Sequence, residues 1–566
     1  KNIWYLMISV NGNSWEETVV NKRLVQKLRQ DFKFSENISK LLINRNYNQE
    51  EIYSLSNTIN FKNPFTNDPD FIKSKKLILD YIKNKKKILI IGDYDVDGSV
   101  STSMLIKLFQ HINHSYDFYI PDRTSDGYGL SENLLKKLKN RLTDLVIIVD
   151  SGSKSHNAIN YLNDLKIKSI IIDHHEISKP FPKSTVLINP KKNTENYNQI
   201  NLCASALVYF LIDILKKELN LNISTKLNLF LTALATICDV MPLRGLNRNI
   251  IIKAFKEYNY KNSYFINYLL TKIKKRNNLE YNDFGYLIGP ILNSGGRLNK
   301  SHLPVNLITS SNKTEIKKIS DNLINLNNKR KEVEKRIINE IDKKDLILIK
   351  NKILIIKNLS IPEGLIGIIA ARFLEKFNKT TIVITQSGNL LKGSARSSSE
   401  INIGSIINNA VINKILNKGG GHQMAAGFSL KKNNFNEFKK YLSNYKISNS
   451  IKSNYYISKI STSAINLEFI KDINKLSPFG NANANPVFLI ENLKIYKPKT
   501  INKNHIFCLL KDDNKKFFDA IAFNVMNTKI EDYLLNYKNK IKVLCKFNLS
   551  GQKNNKINIH IVDIII

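Results

Sequence analysis

Carboxylate and imidazole side chains follow three short apolar runs of the chain, each at the point where the run ends. The first cluster, Asp93–Gly98, contains Asp95 and Asp97, and the second, Val149–Gly152, contains Asp150. The third is Asp173-His174-His175. Short apolar runs bounded by Gly and Asp are typical of buried parallel strands. Because the carboxyl ends of parallel strands share one edge of a sheet, we expect these side chains to converge on one crevice.

Several carboxylates at such short range raise one another's pKa unless cations compensate their charge. Mixed Asp and His donors favour Mn²⁺ or Mg²⁺ over a metal that is bound by thiolates. Asp239 follows the apolar stretch Leu231–Cys238, where a carboxylate is costly unless it is paired or bound to metal. The alternative, separate helix caps and turn residues, explains any one of these sites but not four in succession.

The elements that position these clusters are predicted by alternating strand and helix signals over residues 76–250. Strands are expected at 87–91, 145–149, 169–172 and 185–188, with right-handed crossover helices between them. The stretch 311–343 contains no Gly or Pro and predicts a long connecting helix. A second α/β lobe follows, in which Gly419–Phe428 is expected to form a tight glycine turn. Five β-like runs after residue 455 predict a small barrel of the oligonucleotide-binding type.

The predicted architecture is therefore α/β, with a parallel-sheet domain, a connecting helix, a smaller α/β domain and a C-terminal barrel. The expected boundaries are 1–75 for an N-terminal helical segment, 76–310 and 311–345 for the first domain and its helix, 351–450 for the second domain, and 455–566 for the barrel.

The 566-residue chain carries a formal net charge of +38, which favours a polyanionic partner. Compositional drift toward Lys explains part of this excess, so the charge alone does not establish nucleic-acid binding. The four Cys form no C-x-x-C pair and indicate reduced thiols in the cytoplasm. We find no apolar run long enough for a membrane span and no convincing signal peptide, so no membrane partner is expected.

Seven motifs together resemble the DHH phosphoesterase superfamily, within it the branch of single-stranded-DNA exonucleases with a terminal barrel. They are Gly92–Gly98, Pro121–Arg123 with Gly127–Gly129, Asp173–His175, Gly296–Leu298, Gly393–Ser397, Gly419–His422, and Leu476–Gly480 with Asn485-Pro486. The resemblance implies a DHH domain, a DHHA1 domain and an oligonucleotide-binding barrel, and a metal-dependent exonuclease acting 5′→3′ on single-stranded DNA in repair and recombination.

The resemblance also assigns roles to residues. It implies a site for two divalent cations, Mn²⁺ or Mg²⁺, whose ligands are Asp95, Asp97, Asp150, His174 and Asp239. His175 would contact the substrate phosphate or support the ligands from behind. Asp93 is a further candidate ligand, because Ile91 stands where many relatives have a His. A second departure from the pattern is Ser360–Gly364.

Arg is the side chain that binds phosphate through a planar fork, and the resemblance implies a pocket for the 5′ phosphate. Its candidate residues are Arg123, Arg297, Ser394, Arg396 and His422. For each Arg taken singly, an ordinary surface salt bridge is the alternative. The implied partners are single-stranded DNA, a single-stranded-DNA-binding protein and a helicase, and the implied state is a monomer.

Two other functions stay open at this point. A DHH/DHHA1 oligoribonuclease or nucleotide phosphatase would be shorter and would lack the terminal barrel. A non-catalytic DNA-binding scaffold of the same fold would not need all five metal ligands.

Overall fold

The computed structural model describes residues 7–56, 59, 61–122, 126–127, 129–192, 201–275, 278–298, 300–341, 346–350, 352–397, 401–445, 454–550 and 556–566. The α-helices are α1 (Lys22–Phe32), α2 (Glu36–Asn44), α3 (Gln49–Ser56), α4 (Pro69–Lys83), α5 (Val96–His111), α6 (Glu132–Lys137), α7 (His156–Asp164), α8 (Ala204–Glu218), α9 (Lys226–Cys238), α10 (Gly245–Glu257), α11 (Tyr264–Lys272), α12 (Tyr281–Asp283), α13 (Gly289–Arg297), α14 (Leu303–Thr309), α15 (Lys313–Glu340), α16 (Ile366–Phe377), α17 (Ile403–Ile412), α18 (Phe435–Asn444), α19 (Leu467–Asn474) and α20 (Lys529–Asn536). The strands are β1 (Met7–Ile8), β2 (Ser14–Glu17), β3 (Ile88–Ile91), β4 (Tyr116–Tyr119), β5 (Leu145–Val149), β6 (Lys168–Ile172), β7 (Val186–Ile188), β8 (Leu346–Ile349), β9 (Ile353–Lys357), β10 (Thr380–Ser387), β11 (Leu390–Arg396), β12 (Lys418–His422), β13 (Ala425–Lys431), β14 (Asn454–Tyr456), β15 (Phe488–Ile501), β16 (His505–Lys511), β17 (Phe517–Ala522), β18 (Ile541–Ser550) and β19 (Lys556–Ile565).

The first domain is built on a five-stranded sheet of order β4-β3-β5-β6-β7, in which all neighbouring strands are parallel. This confirms the predicted parallel sheet. Its strands are apolar throughout because both faces are covered. In β3, Ile88 and Ile90 pack into the core formed with α5 and α8, whereas Leu89 and Ile91 pack under α6 and α7.

Helix α15 is the predicted connection between the two lobes. Ile316, Ile319 and Leu323 of its first half pack into the core of the first domain. Ile337 of its last turns packs into a core of the second lobe, with Ile356 and Ile369. One continuous helix therefore joins the cores of the two lobes.

The second lobe has a six-stranded sheet of order β12-β13-β11-β10-β9-β8, in which only β9 and β10 pair in parallel. The expected tight glycine turn is wrong in form, because Lys418–His422 is strand β12 and pairs with β13. A Cβ on Gly421 would lie 2.5 Å from Ala426 Cα, and one on Gly404 of α17 would lie 2.6 Å from His422 O. The glycines let a strand and a helix approach closely.

The C-terminal domain is a closed barrel of order β15-β16-β17-β19-β18, with α20 between β17 and β18. The five strands agree with the five predicted runs, and the barrel is of the oligonucleotide-binding type. Only the start of β15 had a strand signal, because the rest of the strand, Glu491–Ile501, is largely polar and exposed.

The N-terminal residues contribute to two different cores. Strand β2 pairs with β1 and with β14, and α2 buries Ile38, Leu41 and Leu42 in the core of the barrel. Helix α4, by contrast, packs Phe71 and Ile78 into the core of the first domain. No helix in the described ranges is long and apolar enough to cross a membrane.

Replacement of Trp15 by Phe should destabilise the unit formed by the N-terminal strands and the barrel. The buried Trp15 Nε1 donates to Asp563 Oδ2 at 3.1 Å, and Asp563 is itself buried. Loss of a hydrogen bond to a buried charged group costs about 1.5–3 kcal/mol. Calorimetry should show a lowered unfolding temperature for Trp15→Phe. Tyr455→Phe, an exposed change on the neighbouring strand, is the control, and equal unfolding temperatures for both variants would contradict the account.

Candidate metal centre and phosphate pocket

The predicted ligands lie at the carboxyl edge of the first sheet, each placed by the end of an element. Asp95 is the N-cap of α5 and accepts from Gly98 N, and Asp97 lies in the first turn of that helix. Asp150 follows β5 with a left-handed φ of 59°, a conformation that is costly for a residue other than Gly and often found at functional sites. Asp239 is the C-cap of α9.

His174 lies at the centre of this group of side chains. Its Nε2 atom is 3.2 Å from Asp150 Oδ1, 3.3 Å from Asp239 Oδ2 and 3.8 Å from Asp97 Oδ2. Three overlapping sets have their donor atoms within 4.8 Å of one another: Asp97 with His174 and Asp239, Asp150 with His174 and His175, and Asp93 with Asp95 and Asp150. The structure thus brings together all six predicted residues of the centre, with Asp93 beside them.

Several donor atoms of this centre are buried and lack hydrogen-bond partners. Within the described part of the chain, both carboxylate oxygens of Asp150, Asp239 Oδ2 and His174 Nε2 have none. A buried polar atom without a partner is costly, whereas an oxygen or nitrogen lone pair directed at a common point is what a hard cation requires. The donor set therefore fits divalent cations bound by oxygen and imidazole.

The electrostatics of the protein without metal lead to the same conclusion. Burial, and then the charges of Asp97 and Asp95, raise the pKa of both Asp150 and Asp239 well above the ordinary carboxyl range. Burial and the charge of Asp97 also raise the pKa of Asp95. Burial lowers the pKa of His174 to about 4, so that its ring is neutral and can serve as a ligand.

Asp173 belongs to the sequence cluster, but the structure gives it a different task from its neighbours. Its carboxylate accepts from the backbone N–H groups of Ser153, His174 and His175, and lies 2.7 Å from His175 Nδ1. Burial opposes its ionisation, yet these bonds and the His175 charge lower the pKa of Asp173 overall. Burial likewise opposes protonation of His175, but the bond to Asp173 raises the pKa of His175 to about 9.

Two supports of the centre had no clear signal in the sequence. Asp97 Oδ2 accepts from Ala204 N at 2.7 Å and its Oδ1 from Ser205 N at 2.9 Å, so the N-terminus of α8 holds this carboxylate. Asn189 donates to Ser153 Oγ and to His175 O. Only the apolar helix that begins at Ala204 indicated that a helix terminus was available there.

Ile91, which stands where many relatives have a His, lies away from the metal centre. Ile91 is fully buried in the core under α6 and α7, so it does not face the carboxylates. Asp93, 3% exposed, is the nearest carboxylate in sequence that joins the centre.

Arg297, Ser394 and Arg396 converge on the segment Gly364–Gly367, directly before and within the first turn of α16. Arg297 Nη1 donates to Gly364 O at 3.0 Å, and Arg396 Nη1 donates to Ser394 Oγ at 3.2 Å. A Cβ on Gly367 would lie 3.1 Å from Arg396 Nη2 and 3.2 Å from Ser394 Oγ. Two guanidinium groups and the N-terminus of α16 therefore lie around one short segment, an arrangement that suits an anion.

The two other candidates for phosphate contact differ in what the structure describes. Arg123 lies outside the described residues, although the preceding Asp122 accepts from Ser301 Oγ at 2.7 Å. His422, at the end of β12, lies near enough to His175 and Lys191 of the first domain for their charges to act on it. Partial burial, and then the charges of Lys191 and His175, lower the pKa of His422.

Three family models match the chain in succession. The DHH family, N-terminal domain, matches residues 87–236, the DHHA1 domain matches residues 350–446 and the RecJ OB domain matches residues 458–563. The order of the three domains is the order found in the fold.

Curated relatives and solved structures agree with these matches. The single-stranded-DNA-specific exonuclease RecJ of Bacillus subtilis (strain 168) is 28% identical over 527 residues, which cover 90% of this chain and 66% of the relative. RecJ of Haemophilus influenzae is 27% identical over 489 residues, covering 80% of this chain and 83% of the relative. The crystal structure of RecJ from Thermus thermophilus in complex with Mn²⁺ has a TM-score of 0.79 at 18% identity and covers 98% of this chain and 79% of that chain.

The carboxylate-lined parallel sheet with its DHHA1 lobe identifies a protein of the DHH family. With the RecJ OB domain at its C-terminus, the chain belongs to the RecJ branch of that family.

Asp150→Asn should stabilise the metal-free protein, whereas Asp173→Asn should destabilise it. The pKa of Asp150 is higher in the folded than in the unfolded chain, so its ionisation costs stability as the pH rises above the ordinary carboxyl range. The pKa of Asp173 is lowered, so its charge stabilises the fold at neutral pH. Each change should be about 1–3 kcal/mol, the usual scale for a buried polar group.

Calorimetry at pH 7 in EDTA measures both variants, and each serves as the control for the other. Mn²⁺ should then raise the unfolding temperature of the wild type but much less that of Asp150→Asn. A shift of the same sign for both variants in EDTA would contradict the assignment of their roles.

Proposed function

We propose that this protein is a metal-dependent exonuclease that hydrolyses single-stranded DNA from the 5′ end, in DNA repair and recombination. The observation that carries the proposal is the buried group of Asp and His side chains, several of whose donor atoms lack partners, together with Arg297 of the first domain and Arg396 of the second lobe around the start of α16. The RecJ relatives named above, which are single-stranded-DNA-specific exonucleases, support the substrate class.

Two divalent cations, Mn²⁺ or Mg²⁺, are the proposed cofactors, with Asp95, Asp97, Asp150, His174 and Asp239 as their ligands. When bound, such a pair supplies Lewis-acid polarisation of a phosphodiester and a water of lowered pKa. Asp150 and His174 each belong to two of the three donor sets. A carboxylate offers two oxygens whereas the His174 Nε2 atom offers one lone pair, which favours Asp150 as the ligand that both cations would share. Removing it should therefore cost more activity than removing a ligand of one cation.

The remaining residues of the centre bind and orient the substrate. His175, whose pKa of about 9 keeps its ring protonated at neutral pH, can donate a hydrogen bond to a phosphate oxygen of the substrate. Asp173 and Asn189 hold that imidazole in place through its Nδ1 atom and its carbonyl. His422 from the second lobe, which lies near Lys191 and His175, contributes a further donor.

The direction of degradation is set by recognition of a terminal 5′ phosphate in the pocket formed by Arg297, Ser394, Arg396 and the start of α16, with Arg123 as a further proposed contact. A terminal phosphate carries more charge than an internal one, and two guanidinium forks together with a helix N-terminus favour the more highly charged group.

The barrel holds the rest of the strand on the outer face of β15, β16 and β17. Tyr496 and Phe517 are both exposed and stack edge to face at 5.5 Å, with Lys511 Nζ 5.2 Å and 5.4 Å from their ring centres. Exposed aromatic rings beside a cation suit the bases and phosphates of a single strand. The equivalent face of other barrels of this type binds oligonucleotides.

Several finer points belong to the same proposal. A helicase is a fitting partner, because duplex DNA must be unwound before this substrate exists, and a single-stranded-DNA-binding protein would meet the enzyme on the same strand. Four free thiols fit a cytoplasmic location. We propose a monomer, since one chain supplies both the metal centre and the phosphate pocket.

The alternative functions have less support. An oligoribonuclease or nucleotide phosphatase has no need of the barrel face with Tyr496, Lys511 and Phe517. A DNA-binding scaffold has no need of buried carboxylates that destabilise the protein without metal. Digestion of end-labelled single-stranded DNA in Mn²⁺ separates the three functions, because only the proposed enzyme releases nucleotides progressively from the 5′ end.

Arg396→Ala should remove the preference for 5′-phosphorylated strands. We expect the wild type to degrade these at least about tenfold faster than 5′-hydroxyl strands, equivalent to about 1.4 kcal/mol. The variant should degrade both at the slower rate, since the charge-assisted bonds to the terminal phosphate are lost. The measurement is the initial rate on matched oligonucleotides that differ only at the 5′ end.

Arg372→Ala is the matched control, because Arg372 lies on α16 but pairs with Glu334 at 2.9 Å. Its preference should equal that of the wild type. Equal wild-type rates on both ends, or degradation starting from the 3′ end, would refute the pocket and the polarity.

Phe517→Ala should weaken binding of long single strands without slowing hydrolysis of very short ones. Loss of one stacked base costs about 1–3 kcal/mol, or roughly 5- to 150-fold in affinity. Lys511→Ala should instead lower the slope of log affinity against log salt by about 0.7, since one phosphate contact is lost. Phe377→Ala, an exposed Phe on the second lobe, is the control. Unchanged affinity for Phe517→Ala at every salt concentration would place the strand elsewhere.

A further inference from the structure

The residue after the proposed ligand Asp239 has an unusual backbone conformation. Val240 has a left-handed φ of 55°, and among the described residues it is the only β-branched residue in that region. A β-branched side chain there is a genuine outlier, which persists only where the surroundings enforce it. The turn at Val240 therefore needs a physical cause.

Two sets of contacts supply it. Val240 N donates to Ile237 O at 3.1 Å and Met241 N to Thr236 O at 3.0 Å, which is a helix C-terminal cap with a left-handed residue, usually Gly. The second set comes from the loop Leu476–Asn485, which leads into the barrel. Asn481 Nδ2 donates to Val240 O at 2.7 Å, and Leu243 N donates to Asn481 O at 2.8 Å. One residue of the barrel loop thus holds both ends of the turn that follows Asp239. Ala482, the next residue of the loop, is left-handed as well, with φ 57°.

The barrel loop is itself firmly held. Asn483 is fully buried, donates to Leu476 O and Pro478 O, and accepts from Arg45 Nη1 at 2.7 Å. Arg248 of α10 donates to Ser477 O at 3.1 Å. A Cβ on Gly480 would lie 2.6 Å from Leu243 Cδ1. The loop is therefore a fixed support on which Asn481 can act.

The direction of the Asp239 carboxylate depends on this turn. Asp239 is the C-cap of α9, with its N–H bonded to Ala235 O, and the turn that follows it is bonded to the helix by Val240 N and Met241 N and to the barrel loop by Val240 O. Its Oδ2 atom lies 3.3 Å from His174 Nε2 and has no hydrogen-bond partner among the described residues. A cation site tolerates misplacement of its ligands by only about 0.5 Å.

We propose that Asn481 is a positioning residue for Asp239, acting through the carbonyl of Val240. This inference rests on the proposed two-cation centre and extends it: the loop that begins the barrel is part of the support of the metal site. The barrel then contributes to the chemistry of the first domain as well as to the binding of the strand.

Asn481→Ala tests the inference by Mn²⁺ binding in the absence of DNA, followed by the electron paramagnetic resonance signal of free Mn²⁺. Partners of metal ligands commonly change metal affinity 10- to 100-fold, and for this more remote, exposed contact we expect about 3- to 10-fold weaker binding of one ion. The second ion should bind as in the wild type. Excess Mn²⁺ should restore kcat, and the affinity for single-stranded DNA in EDTA should not change.

Two further variants separate positioning from a loss of stability. Asn481→Asp keeps the shape but sets an acceptor against Val240 O, so it should weaken Mn²⁺ binding at least as much as Asn481→Ala. Val240→Gly added to Asn481→Ala should recover most of the affinity, because Gly adopts the left-handed conformation without cost. Asn474→Ala, an exposed change at the end of α19, is the matched control and should bind both ions normally.

Asp239→Asn distinguishes failure of the inference from failure of the proposed function. If Asp239→Asn loses one ion while Asn481→Ala binds both with wild-type affinity, the positioning role is refuted and the metal centre stands. If Asp239→Asn also binds both ions normally, the assignment of Asp239 as a ligand fails, and the inference with it. Equal loss of Mn²⁺ affinity, DNA affinity and unfolding temperature in Asn481→Ala would likewise overturn the inference.

Discussion

The structure depends on one constraint: several carboxylates are buried close together at one edge of the first sheet. Asp150 and Asp239 lie 3.2 Å and 3.3 Å from His174 Nε2, and Asp95 lies beside Asp150. Burial and mutual repulsion raise the pKa of each of these three carboxyl groups. Such a group is unfavourable unless cations join it. The left-handed backbone at Asp150 and Val240 adds further strain around the same point, and the surrounding structure must hold it.

The residues that hold this centre in position come from parts of the chain that are far apart in sequence. The N-terminus of α8 fixes Asp97, Asp173 fixes His175, and a loop of the barrel reaches the turn after Asp239. Helix α15 packs into the cores of both lobes and so connects the lobe that carries Arg396 and His422 to the lobe that carries the carboxylates. The N-terminal residues complete the core of the barrel and, through Arg45, hold the loop that carries Asn481. The metal centre and the barrel proposed to bind the DNA strand are thus connected by direct contacts.

The sequence predicted the parallel sheet and the meeting of its acidic clusters for a simple reason. Strands buried on both faces are apolar throughout, and their carboxyl ends must share an edge. The sequence could not show that Asp173 has a different role from the neighbouring carboxylates. That role depends on which backbone N–H groups surround each carboxylate after folding. The glycine run at 419–421 predicts a turn but lies in strand β12, because the sequence does not show its close packing against α17. The contact of Asn481 with Val240 joins residues 241 positions apart and had no local signal.

Anomalous diffraction from crystals soaked in Mn²⁺ tests the central claim most directly. The account predicts two anomalous peaks about 3.5–4 Å apart at the carboxyl edge of the first sheet, with Asp150 in contact with both. His174 and Asp239 should be ligands of the same centre. A single peak, or none within reach of Asp150, would contradict the claim that these buried carboxylates exist to hold two cations.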